Sequence, residues 1–102
     1  MHSVPNQVGR RPQLPAGYRL EAAGNNRLLK RPNGYLIAAF GEWVETESIV
    51  RVAEADERYL RAMERLEKFG TVADSETVLL FADDVKEARS AFLLALETAY
   101  RG

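Results

Sequence analysis

The chain has 102 residues, 46% of them hydrophobic, with no cysteine and a formal net charge of −1. That length holds one domain with a single modest core. The missing cysteines remove disulfides, thiolate nucleophiles and cysteine-ligated zinc or iron–sulfur centres, and the near-neutral balance removes a wholesale attraction to nucleic acid.

Residues 1–17 carry Pro5, Pro12 and Pro15, two glycines and little apolar content. No hydrophobic period runs through them, which predicts a flexible N-terminal arm and leaves 18–102 as a single domain. Arg11, Pro12 and Pro15 make a minimal PxxP match, a cheap pattern that carries little weight. The chain does not open on an apolar signal core, and runs such as Phe92–Leu96 are too short to span a bilayer. A cytoplasmic, soluble protein without membrane contact is the expectation.

Tyr18 to Ala23 alternates, with Tyr18, Leu20 and Ala22 on one face, and predicts a half-buried strand. Gly24-Asn25-Asn26 is a turn. Arg27 to Arg31 and Tyr35 to Phe40 then flank Pro32-Asn33-Gly34. Pro32 presets its own φ, and Asn33 and Gly34 tolerate the positive φ of a tight hairpin. The prediction is a three-stranded antiparallel meander.

Thr46 is the predicted N-cap of a helix running to about Phe69, with Glu47 at its positive end. Ile49, Val52, Ala53, Leu60, Met63 and Leu66 recur at helical steps. Glu47–Arg51, Glu54–Arg58, Glu57–Arg61 and Glu64–Lys68 are i,i+4 pairs in the favourable orientation, which describes a solvated face. Thr77 to Ala82 is either a buried fourth strand or the start of a longer helix; its β-branched content and shortness favour the strand. Asp84, with Glu87 three residues on, then predicts a capping box and a second helix to about Arg101. Val85, Ala88, Phe92, Ala95, Leu96 and Ala99 form its apolar stripe, and Leu93, Leu94 and Tyr100 broaden it beyond one sheet face. A homodimer through this C-terminal helix is the cheapest use of the excess. The expected fold is therefore α+β: a small antiparallel sheet packed by two helices, in the order β-β-β-α-β-α.

The only histidine is His2, so Ser-His-Asp and Cys-His catalysis and the usual zinc sites lack their residues. The glycines are scattered at turns and form no phosphate loop. No cofactor is expected. Asp74, Glu76, Asp83, Asp84 and Glu87 are the remaining enzyme route, as acid–base or cation-binding carboxylates, but they also sit where helix starts want acids. Asp56 falls beside the apolar stripe of the first helix. It either pairs with a hairpin arginine or rotates to the rim, and the rim is the simpler expectation.

Charge is unevenly spread: residues 1–35 hold six basic residues against Glu21 alone, while 36–102 hold eight basic and fourteen acidic. Basic residues on sheet edges discourage edge-to-edge pairing. They also make Arg27, Lys30 and Arg31 candidate contact residues. Trp43, in the sheet-to-helix connection, is expected to close the core at the end of the first helix; if exposed, it is a candidate interface anchor instead. Tyr18, Arg19 and Tyr35 beside these bases would suit base stacking, or simply pack across strands.

GYLIAAF, followed by a short connection and IVRVAEADERYLRAMERL, resembles a group of small uncharacterised phage and prophage proteins. Those carry a hairpin and then an alanine-rich helix of the type A-x-L-I-A-A-A-P-E-L-L-E-A-L. Ala53, Ala55, Tyr59, Leu60, Ala62 and Met63 fall on matching positions, while Asp56 and Glu57 stand where that group has Ala-Pro, so its helix break is absent here. EARSAFLLALETAYRG is similar to the group's tail at Ala88, Arg89 and Ala91. The resemblance implies no activity and transfers no site residue. A phage origin would favour a non-enzymatic binder of a host protein or complex, such as an anti-CRISPR inhibitor; the alternative is a DNA- or RNA-binding accessory protein using the hairpin and the Arg10/Arg11 arm.

Overall fold

The computed structural model describes residues 13–101, so most of the expected arm, including Arg10 and Arg11, lies outside the described residues. The segment just before the first strand is already seated. Leu14 packs against the core, and the Tyr18 amide donates to the Pro15 carbonyl at 3.1 Å. Gly17 is required there: its φ is +85°, and a Cβ would meet the Pro32 ring at 2.9 Å.

Three strands come next, β1 (Arg19–Ala23), β2 (Asn26–Lys30) and β3 (Leu36–Gly41), in a β1-β2-β3 antiparallel sheet. The β2–β3 loop is Pro32-Asn33-Gly34. Gly34 donates to the Arg31 carbonyl at 2.8 Å, Arg31 donates to the Tyr35 carbonyl at 2.9 Å, and Asn33 Oδ1 accepts from the Tyr35 amide. This is a three-residue hairpin loop, in which Pro32 occupies a position suited to its fixed φ and Gly34 supplies the left-handed residue at φ +90°. A register shift at Leu29/Lys30 leaves Ile37 as the extra residue of β3.

Two helices complete the α+β fold, α1 (Thr46–Phe69) and α2 (Ser75–Arg101). Glu45 occupies the N-cap position of helix α1, one residue earlier than expected and without a side-chain cap bond, and Thr46 is the first helical residue. The fourth strand is not formed. Residues 77–82 belong to α2, and their exposure runs half-buried, half-buried, exposed, exposed, half-buried, half-buried, a helical period and not an alternating one. The cap that starts α2 is Asp74, whose Oδ1 accepts from the Thr77 amide at 2.8 Å while its carbonyl accepts from Val78. Asp84, expected as that cap, instead lies within the helix and receives Arg65 at 3.1 Å and Arg58 at 3.7 Å from α1.

The core lies between one sheet face and the near halves of both helices. Leu29, Phe40, Val44, Ile49, Val52 and Ala53 are buried in it, with Phe92, Ala95, Leu96 and Ala99 contributed by α2. Tyr100 stacks at 5.3 Å on Phe40, and its hydroxyl donates to the Ala39 carbonyl at 2.9 Å, tying the end of α2 to β3. The far halves of α1 and α2 extend past the sheet as a bare helical hairpin. Of the four expected i,i+4 pairs, Glu47–Arg51 and Glu57–Arg61 form, at 3.2 and 3.3 Å; Arg58 is drawn across to Asp84.

Candidate functional site

Strand alternation decides where the hairpin charges point. Leu29 is buried on the helix-facing side of β2, so Arg27 and Arg31, two residues before and after it, face the helices as well. Arg31 reaches Asp56 with two hydrogen bonds, Nε to Oδ2 at 3.0 Å and Nη2 to Oδ1 at 2.9 Å. The Tyr18 hydroxyl donates to the same Oδ2 at 2.7 Å. Asp56 is fully buried, which corrects the rim placement expected for it. Its neighbours Ile49, Val52 and Ala53 face the core, and the arginine supplies what a carboxylate on that stripe needs. Burial, reinforced by the bond to Asp56, pushes the Tyr18 hydroxyl well above the usual tyrosine range, so it stays a donor. Arg31 also lies 4.6 Å from the centre of the Tyr35 ring. This constellation clamps β1 and β2 to α1.

Arg27 forms a second clamp. Its Nη1 donates to Thr46 Oγ1 at 3.0 Å and its Nη2 to the Val44 carbonyl, at the entrance of α1. Two of the three basic hairpin residues singled out in the sequence are thus tied into the fold, although Arg27 Nε is buried without a partner.

The opposite sheet face presents Arg19, Glu21 and Ala23 from β1, Asn26, Leu28 and Lys30 from β2, and Leu36, Ala39 and Gly41 from β3. No helix covers it. Lys30 Nζ meets Glu21 at 2.9 Å, with Arg19 at 3.8 Å from the same carboxylate. The hydrogen bond from Lys30, with Arg19 behind it, holds the Glu21 carboxyl below its ordinary range. Lys30 remains about one-quarter exposed.

Trp43 joins this outer face. It was expected to close the core; Val44 does so instead. The turn from Gly41 to Val44, closed by a 3.1 Å backbone bond, tucks Val44 inward and throws Trp43 the other way. The indole lies against Gly41 so closely that a Cβ there would stand 2.5 Å from Nε1. Trp43 is 60% exposed, Tyr35 58% and Leu36 46%. Along β3 the outer face is therefore an uncharged strip, Leu36–Ala39–Gly41–Trp43, bordered by the Arg19–Glu21–Lys30 ion cluster. Leu36 is a contact candidate that sequence reading missed: it sits just after the Gly34 turn, and the bulge at Leu29/Lys30 obscures which side of the strand it takes. Tyr35, weighed in the sequence for base stacking, pairs with Arg31 and turns to the helix-facing side.

The carboxylate route gathers no centre: Asp74 is a helix cap, held below the usual carboxylate range by the Thr77 amide, and Asp84 is paired with arginines. Among the described residues no group of three or more side chains suits a metal ion, and no helix is long and apolar enough to cross a membrane. Comparison with family models, curated proteins and solved structures finds no match to the chain.

Proposed function

We propose that this chain is a small non-enzymatic protein-binding module that contacts its partner through the outer face of the sheet. The observation that carries the proposal is Trp43, a tryptophan held at 60% exposure against a glycine on an uncharged strip that no helix covers among the described residues. Interfaces concentrate binding energy in aromatic anchors surrounded by a polar rim. Trp43 and Leu36 supply the anchor, and Lys30, Glu21 and Arg19 the rim. The resemblance to phage proteins narrows the partner to a host complex, with a defence system, as for an anti-CRISPR inhibitor, as its concrete form. A nucleic-acid partner is less favoured, because Arg27 and Arg31 are committed to Val44, Thr46 and Asp56, leaving Lys30 as the outward base of that hairpin.

The test is capture from a lysate of the native host by the immobilised chain and by a Trp43→Ala/Lys30→Glu variant. A protein retained by the parent and lost by the variant supports the proposal. Equal retention by both, or a bound fraction that nuclease removes, overturns it.

A further inference from the structure

We infer that the far side of the helical hairpin is a self-association surface, and that a second copy of this chain covers it to form a four-helix bundle. The inference is independent of the proposed outer-face partner. Seven residues make two helical turns, so residues seven apart form a row along a helix. On α1, Arg51, Arg58 and Arg65 make such a row. On α2, Leu80, Glu87 and Leu94 make another, with Asp83 beside it. Both rows border the groove between the helices on the side away from the sheet: Arg51 and Leu94 line one cavity of about 240 Å³ floored by Ala91, Ala95 and Thr98. Leu80 and Leu94 are 67% and 63% exposed. Nothing in the sheet reaches them, and a two-helix layer cannot bury both its faces.

The rows are self-complementary. Laying α2 antiparallel on α2 of a second copy, with the two-fold axis at Glu87, sets each Leu80 on the other copy's Leu94. Arg51 and Arg58 stand alongside α2 between Asp84 and Thr98, as their contacts with both ends of that stretch require. They then face the second copy's Asp83 and Glu87, an arginine row against an acidic ridge. The surface is large enough: α2 has 27 residues, about 40 Å at 1.5 Å each, and two helices abreast are about 20 Å wide. Their product, about 800 Å² per copy, is the size of a standard stable interface. Each dimer would leave both outer sheet faces free.

Light scattering and sedimentation at 50 µM of the full chain test the inference. The expected particle has twice the 11.5 kDa chain mass. Leu80→Glu/Leu94→Glu is expected to halve that mass without changing the far-UV circular dichroism, since both side chains are exposed in the single copy. Arg58→Glu is expected to weaken association at least tenfold, and adding Glu87→Arg to restore it. If the double glutamate variant loses helicity, Leu94→Gln alone serves the same purpose. A parent chain of single mass at 50 µM overturns the inference, as does a dimer that survives the leucine substitutions or dissolves on Trp43→Ala.

Discussion

Arg31→Met removes the two hydrogen bonds that reach Asp56 at 2.9 and 3.0 Å and keeps most of the aliphatic stem. The carboxylate stays buried with the Tyr18 hydroxyl as its side-chain donor. Taking away one member of a buried ion pair costs about 3–5 kcal/mol, because the surviving charge has lost its partner. The Arg31 side chain keeps 21% exposure. Water therefore reaches its place readily, and the loss falls at the low end, about 3 kcal/mol. A domain of this length has about 5–15 kcal/mol in all, so the change is a large fraction of the total. With a urea dependence of about 1.5 kcal/mol per molar, the unfolding midpoint falls by about 2 M. Tyr18→Phe removes one bond to the same carboxylate and costs about 1.5–2 kcal/mol. The triple variant Tyr18→Phe/Arg31→Met/Asp56→Leu leaves no buried charge and recovers most of the loss. Urea titration followed by far-UV circular dichroism measures all three. An Arg31→Met chain within about 0.5 kcal/mol of the parent would refute the reasoning, since the pair would then contribute no more than a surface salt bridge.

Ala82→Pro breaks α2 and costs about 3 kcal/mol or more, read as lost helical circular dichroism; an unchanged spectrum would contradict helix at 77–82. Asp74→Ala removes the α2 cap and lowers both helicity and melting temperature; a parent-like melt would sink the assignment. Gly41→Ala pushes the indole off the outer face at a stability change of about 1 kcal/mol or less, and acrylamide quenching of the single tryptophan rises; unchanged quenching would show that the indole does not lie there. Glu21 and Asp74 both have folded-state carboxyls below their ordinary range. Their stabilisation is therefore present above the unfolded value, about pH 4, and is lost as pH falls through the folded values. Melting temperatures measured down to pH 2 should drop less in the Glu21→Gln/Asp74→Asn variant than in the parent, and parallel drops would contradict that assignment.

Local chemistry made much of this fold readable. All three strands and α1 lie within a residue or two of their expected bounds, because Gly24, Pro32 and Gly34 punctuate the meander and Ile49, Val52 and Ala53 recur at helical steps. Residues 77–82 read as a strand because Thr77 and Val78 are β-branched, but the Asp74 cap three residues upstream and packing against α1 outweigh that propensity. Asp56 departs from its expected place for a different reason. Its partner Arg31 is 25 residues away, and periodicity says which face a residue takes but not what waits there. The signal was present: Arg31 shares a strand face with Leu29, and Asp56 shares a helix face with Ile49. The same alternation, applied to β2, separates Arg27 and Arg31 from Lys30. Trp43 is not legible in the sequence, since the path of the Gly41–Val44 turn decides which of the two neighbours, Trp43 or Val44, enters the core.

Hydroxyl-radical footprinting of the chain, free and in the complex it forms in its native host, tests the outer-face account most directly. The account predicts strong protection of Trp43 and Leu36 in the complex, with Tyr35, which packs on Arg31 on the other side of the sheet, protected less. A Trp43 that oxidises as fast in the complex as in the free chain would contradict it.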